Sequence, residues 1–447
     1  MKVSILPLAA AVALAYATQA SAADLLQIYR DAKNNDSVYT SARYSLEAGR
    51  ERIPQGNALV LPTLNFTGSI TQSDNHLIQR SPTANQPVNR NFSIGIWTLT
   101  FNSPLYRPAN VLQKEQAEFQ VTQAEATFGQ ATQDFAVRVA QAYFDVLNSE
   151  NQLAFIRAQK AAITEQLAQA RRNFDVGTAT ITDTNEAQAR FDLSVSQEIA
   201  ALNDLELRNQ ILQQIVGKAP DSLTPLRSSF KMPSPEPARM DDWVDAAQKQ
   251  AYAVRIAEAS TEIAQRDVER NRAGNYPTVD LVATVSNNAS GGSASNANGA
   301  GSDTRAGTLG IQFAIPLYSG GSISSRIRES LATLEKSRSD LENSKRQAAL
   351  NARQSFVGVT NGIAQIRALE QAVTSSETAL ASNKVGYDVG VRINIDVLNS
   401  QQQLFSTKRD LARARYDTIM NGLRLKAAAG SLTDEDIEAV NRYLGQD

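Results

Sequence analysis

Hydrophobic positions follow two periods along this chain, and the periods alternate in the same order twice. From Asp24 to about Gly56 the spacing is helical, with a short piece ending near Asn34-Asn35. After Leu61-Pro62-Thr63 the period drops to two: Leu64, Phe66, Gly68 and Ile70 alternate with Asn65, Thr67, Ser69 and Thr71. This is the pattern of a strand with one polar face. A polar stretch from Asp74 to about Asn89, carrying Pro82 and Pro87, reads as a loop. A second alternating run covers Phe92 to Phe101; its apolar phase slips between Ile96 and Trp97, which suggests a bulge.

From Asn110 to Ala219 there is no proline, and apolar residues recur at seven-residue spacing, as in Val139, Val146 and Leu153. A first leg from about Val111 to Phe174 would be a rod of roughly 95 Å. A return leg runs from about Thr182 to Val216 and stops at Gly217. The cycle then repeats. Helical spacing returns from Met240 to about Ala273, and Tyr276-Pro277-Thr278 echoes the earlier Leu-Pro-Thr corner. Val279, Leu281, Ala283 and Val285 lead into a Ser/Gly/Asn loop, 287–302, from which Leu309, Ile311, Phe313 and Ile315 lead back. Pro316-Leu317-Tyr318 copies Pro104-Leu105-Tyr106, and a long leg with Val359, Ile366, Val373 and Leu380 in heptad register follows. Its return leg ends at Gly430, and a short acidic helix, about Thr433 to Leu444, closes the chain.

The turn between each pair of long legs is the most specific part of the repeat. Phe174-Asp175-Val176-Gly177 matches Tyr387-Asp388-Val389-Gly390, and Asp183 matches Asp396. A glycine ending one helical run, followed by β-branched residues and a new run, reads as a helix–turn–helix tip. The chain is thus divided into residues 23–219 (first repeat), 220–239 (a proline-rich linker), 240–430 (second repeat) and 431–447 (a short helical tail).

Four alternating strands cannot close a barrel, and an open sheet of four would leave two bare edges and a greasy face. Three copies would supply twelve strands, an even number within the range of outer-membrane barrels. Runs of about ten residues suffice to cross a bilayer at a tilt. The narrow apolar stripes of the long legs suit coiled-coil seams and suit burial in a globular core poorly. Three copies would add twelve helices, forming a tube. The predicted fold is therefore α+β: an internally duplicated chain whose trimer forms a 12-stranded β-barrel, four strands per chain, continued by a long α-helical coiled-coil barrel.

Composition adds an address and removes several chemistries. One lysine, an apolar run and Ala20-Ser21-Ala22 describe a secretory signal peptide, residues 1–22, cleaved after Ala22. The next residue is alanine, which leaves no cysteine there for lipid attachment. The absence of cysteine from the whole chain removes disulfides and thiolate chemistry. The one histidine, His76, falls in a polar loop, and a net charge of −2 gives no case for nucleic-acid binding. No cofactor, metal site or catalytic constellation is readable, so no enzyme is expected.

The stretch Gly386 to Asn399, continued through Ala412-Arg413-Ala414-Arg415-Tyr416, resembles the TolC-type family of outer-membrane efflux and type I secretion channels. The likeness covers essentially the whole mature chain. It implies a homotrimer in the outer membrane of a Gram-negative bacterium, with a large periplasmic portion. It also implies two partners: a periplasmic adaptor (membrane fusion) protein and, through it, an inner-membrane transporter of the ABC, RND or MFS type. Such a duct passes small molecules or unfolded protein to the exterior, and its periplasmic entrance opens by iris-like movement of the hairpins. By the same resemblance Tyr387 and Arg392 lock the second hairpin to the first through Thr182 and Asp183. Asp396 and Asn399 stand at the entrance constriction, where asparagine at 399 replaces an acidic residue and leaves one carboxylate ring where two are usual. The tips Val176-Gly177 and Val389-Gly390 are the implied adaptor contacts. The rival reading is a secreted trimeric coiled-coil or surface fibre protein without channel activity.

Overall fold

The computed structural model describes residues 22–80, 85–219, 222–227, 230–291 and 301–445. The signal peptide, apart from Ala22, lies outside the described residues. The elements in order are α1 (Leu25–Asn35), α2 (Ser37–Arg50), α3 (Arg52–Ala58), β1 (Thr63–Arg80), β2 (Asn85–Tyr106), α4 (Pro108–Asp175) and α5 (Ile181–Val216). They continue with α6 (Met240–Gln250), α7 (Tyr252–Ala273), β3 (Thr278–Ser290), β4 (Ser302–Ala314), α8 (Ser322–Asp388), α9 (Asn394–Ala428) and α10 (Asp434–Asn441). The order helix, strand, strand, long helix, return helix occurs twice. By contacts the chain forms two units, and each draws on both repeats. One comprises residues 1–45, 126–255 and 342–447, the other 46–125 and 256–341.

The second unit holds an antiparallel sheet in the order β1-β2-β3-β4. Its register sorts the side chains by face. Phe66, Leu99, Val285 and Gly307 share one rung, and Leu64, Phe101, Ala283 and Leu309 share the next but one. The rung between them is Asn65, Thr100, Thr284 and Thr308. One face is thus apolar and the other is rich in threonine, as the period of two dictates. Leu64, Phe66, Ile70, Leu309, Ile311 and Phe313 all stand more than 60 % exposed on that apolar face. At the helical end of the sheet Arg107 forks onto Asp280, with Nε–Oδ1 2.7 Å and Nη2–Oδ2 2.6 Å. Asp280 is buried, so this two-point bond supplies the compensation that a desolvated carboxylate needs.

Two expectations about the strands are corrected here. The first hairpin is far longer than ten residues: β1 has 18 and β2 has 22, while β3 and β4 have 13 each. Most of the expected loop at 74–89 is strand, paired through Asp74↔Asn91, His76↔Asn89 and Arg80↔Asn85. A backbone ladder forms whatever the side chains are, and Asp74, Asn75, His76, Asn89 and Asn91 are polar and exposed on both faces, so no alternation marks it. Residues 292–300 of the second expected loop lie outside the described residues, as do 81–84 of the first. The expected bulge at Ile96/Trp97 is absent, since pairing runs unbroken there; the register shift falls between Pro104 and Tyr106. Trp97 lies on the apolar face, its ring stacked 6.4 Å from Phe66, while Ile94 and Ile96 fall on the threonine face. The apparent slip is Phe92, Ile94 and Ile96 on the polar side.

The first unit has its core where α1, α4, α5, α9 and α10 meet. Phe135, Tyr143, Phe144, Leu212, Ile419 and Met420 are at most 2 % exposed there. The segment around Leu223 is part of this core and not a free tether. Ala23 N–H donates to Ser222 O at 2.8 Å, and the buried Tyr143 hydroxyl donates to Thr224 O at 2.8 Å. Leu226 bridges to Leu444. The start of the described chain, the inter-repeat segment and the C-terminal turn are therefore stitched into one packed layer. Among the described residues no helix is long and apolar enough to cross a membrane.

Candidate functional site

The two hairpin tips, both in the first unit, close in the same way. At the first, Thr178 N–H reaches Asn173 O at 2.8 Å and Gly177 N–H reaches Phe174 O at 2.9 Å. At the second, Val391 N–H reaches Gly386 O at 2.9 Å and Gly390 N–H reaches Tyr387 O at 3.0 Å. This pair of bonds is the Schellman closure, which needs a left-handed residue. Gly177 and Gly390 supply it, with φ of 77° and 78°. A side chain at either position would be strained by its backbone alone, since a Cβ there would meet nothing within 4 Å. Val176 and Val389, beside the glycines, are 73 % and 67 % exposed. Each tip therefore presents an apolar residue on a glycine-sharpened turn.

Three of the four candidate lock residues, Asp183, Tyr387 and Arg392, line one cleft of about 420 Å³ together with Asn173 and Asn394; Thr182, next to Asp183 on α5, is exposed and is not part of its lining. Within the chain, Tyr387 is held by Asn173, whose Nδ2 donates to its hydroxyl at 3.0 Å. Asp183 is engaged by its own helix start: its Oδ2 accepts from Thr180 N at 2.9 Å and from Thr180 Oγ1 at 2.7 Å. Arg392 faces Asp396 on the next turn, Nη1–Oδ2 3.6 Å, with the arginine side chain 57 % exposed. Its Cγ lies 2.7 Å from where a Cβ on Gly386 would stand, so that glycine makes room for it. No hydrogen bond or ion pair among the described residues joins Tyr387 or Arg392 to Thr182 or Asp183. Asn394 is buried and its Oδ1 has no partner.

Asp396 and Asn399 lie three residues apart on α9, and Gln402 continues the same face. Asn399 and Gln402 are exposed. Both are bonded by a residue the sequence did not point to: Arg190, on α5. Its Nη2 donates to Asn399 Oδ1 at 3.1 Å and its Nη1 to Gln402 Oε1 at 2.5 Å. Asn173 was missed likewise. Both are polar residues on polar helix faces, with partners more than 200 positions away.

Within each hairpin the legs are tied by further polar bonds. In the first, Arg157 and Lys160 clasp Glu198 and hold its carboxyl below the usual carboxylate range. In the second, Lys408 pairs with Glu377 at 2.7 Å and Arg415 with Glu370 at 2.8 Å.

Comparison with known proteins follows the duplication. The family described as "Outer membrane efflux protein" matches residues 28–218 and 243–431, one stretch in each repeat. The outer membrane protein TolC of Vibrio cholerae is 31 % identical over 98 % of this chain and 98 % of its own length. The protease secretion protein PrtF of Dickeya chrysanthemi is 31 % identical over 94 % of this chain and 90 % of its own. Among solved structures, the outer membrane protein VceC of Vibrio cholerae superimposes with a TM-score of 0.75 at 20 % identity. It covers 91 % of this chain and 96 % of VceC. The chain belongs to the outer membrane efflux protein family, the outer-membrane exit ducts of Gram-negative efflux and type I secretion systems.

Proposed function

We propose that three copies of this chain close a 12-stranded barrel in the outer membrane, and that their helical hairpins form a gated entrance docked by a periplasmic adaptor. The observation that carries this is the sheet: four strands with an apolar, exposed face and no partner on β1 or β4 among the described residues. Such edges demand pairing, and closure with two further copies removes them. From Arg305 to Ile315, just past the end of β4, the face carries Leu309, Ile311 and Phe313. Ten residues at ~3.3 Å, tilted by about 40°, span roughly 25 Å, the height of an outer-membrane apolar band.

The gate would lie at the tips. Arg392 is exposed and holds only a long, solvated contact with Asp396, so it is free to reach Thr182 or Asp183 of a neighbouring copy. Asp183, fixed by its own cap, would present a carboxylate in a set place. Breaking such polar bonds frees the second hairpin without unpacking a core. The exposed Val176-Gly177 and Val389-Gly390 turns would seat the adaptor, which links the duct to an inner-membrane transporter that supplies the energy. Cleavage after Ala22 would deliver the chain to the periplasm.

The test is the conductance of detergent-purified protein in planar lipid bilayers, beside a Tyr387→Phe, Arg392→Ser double variant. A small conductance that grows in the variant supports both duct and lock. A channel indifferent to the substitutions sinks the lock and keeps the duct. Protein that stays soluble without detergent and never conducts would make it a coiled-coil fibre.

A further inference from the structure

We propose that Arg190 is a second fastening between the hairpins and the residue that sets the ion preference of the entrance; this rests on the duct reading above. Asp396, Asn399 and Gln402 form one line of polar side chains along α9. Arg190 reaches that line from the other hairpin and bonds its two upper members at 3.1 and 2.5 Å. It joins α5 to α9 about a turn above the tip cleft, so it fastens the hairpins separately from Tyr387 and Asn173.

The acceptors decide its electrostatic role. Both are amide oxygens, and among the described residues Arg190 forms no ion pair with a carboxylate. Its charge therefore stands unneutralised beside an exposed line of which only Asp396 is acidic. That acid itself faces Arg392. Arg190 thus adds one cation per copy beside a line whose one acid, Asp396, already faces a cation. In a wet tube of three copies this favours anions or weakens cation preference, because charged side chains lining a pore set its selectivity. Had position 399 been an aspartate, the same arginine would have been paired and silent.

The contact is also suited to release. Arg190 lines a cleft with Gln159, Gln197 and Gln401. Gln401 is 3 % exposed and its Oε1 has no partner, so a spare acceptor lies in the same cleft when α9 shifts. Bonds from a guanidinium to neutral amides exchange with such an acceptor or with water at lower cost than an ion pair does.

The experiment is single-channel recording of the full mature chain in planar bilayers under a KCl gradient, reading conductance and reversal potential together. Arg190→Gln removes the charge and the fork. It should raise the K⁺/Cl⁻ permeability ratio about threefold or more and also raise conductance. Arg190→Lys keeps the charge and loses the two-point bond, so conductance should rise with the permeability ratio unchanged. Asn399→Asp neutralises the arginine and strengthens the fastening. Its permeability ratio should rise as in Arg190→Gln, while its conductance does not. Trimer migration in mild detergent shows which variants assemble, and the lysine and aspartate variants carry the test if glutamine does not. An unchanged permeability ratio in Arg190→Gln and Asn399→Asp overturns the proposal. A wild-type chain that never conducts fails the duct reading itself, a separate result.

Discussion

At the first tip, Thr180 accepts the amide of Asp183 through its hydroxyl, and the Asp183 carboxylate returns a bond to the Thr180 amide. At the second, Ile393 holds the matching place and offers no side-chain cap, while Asp396 leans toward Arg392 at 3.6 Å. The tips share their glycines, their Schellman bonds and the spacing of their acids. A capping residue contributes ~1 kcal/mol, and an exposed i,i+4 ion pair ~0.3–0.5 kcal/mol. The first return helix is therefore sealed by its own residues. The second has no such seal: beside the bond from Asn383 Nδ2 to Ser400 Oγ within the hairpin, its tip is held from the first hairpin, from Asn173 to Tyr387 on α8 and from Arg190 to Asn399 and Gln402 on α9. The duplicated hairpins thus differ at the start of the return helix: the first is capped by its own residues, and the second adds bonds from the first hairpin to those between its own legs. An element held from outside is the one that can be released.

The hardest blow to this contrast comes from the outside bonds. Hydrogen bonds to charged groups are worth ~1.5–3 kcal/mol, and 1.4 kcal/mol is a factor of ten in a population. Tyr387→Phe with Arg392→Ser should thus raise the open probability about tenfold in bilayer recording, whereas Thr180→Ala should change it less than twofold. Equal effects at the two tips would end the comparison.

The duplication, the tips and the four strands were all visible in the sequence, because each writes a period or a glycine at a fixed offset. Gly177, Gly217, Gly390 and Gly430 all adopt positive φ where helical runs were expected to stop. What was not visible has two physical causes. Where β1 and β2 continue past their pairing with β3, polar exposed residues such as Asn75 and His76 fall on both faces, so polarity stops alternating and His76 reads as a loop residue. And the bonds of Asn173 and Arg190 join polar faces distant in sequence, for which no local pattern exists. The Thr180–Asp183 cap was legible as Thr-x-x-Asp before a helical run, with an acid near the start of a helix, where it is favourable.

A smaller effect separates the bond at Tyr387 from the rest of the lock. In a double-mutant cycle of Tyr387→Phe and Asn173→Ala, the coupling should be about 1 kcal/mol. It would be read as amide exchange protection of the last turn of α8. A coupling indistinguishable from zero would mean that Tyr387 acts only through a neighbouring copy. Thr180→Ala should cost ~1 kcal/mol locally, speeding exchange of the first-turn amides of α5 about fivefold and leaving α9 unchanged.

The most delicate test rebuilds the first tip at the second. Ile393→Thr places a hydroxyl three residues before Asp396, the same spacing as Thr180 and Asp183. The hydroxyl can accept the Asp396 amide, and the Asp396 carboxylate can turn to the amide of position 393, away from Arg392. Ile393 is 61 % exposed, so little apolar burial is lost. The gain should be a few tenths to ~1 kcal/mol, slowing exchange of the first-turn amides of α9 about two- to fivefold. Conductance should fall slightly if that turn loosens during opening. If exchange is unchanged, the turn is already satisfied by its surroundings, and the tips differ in chemistry without differing in strength.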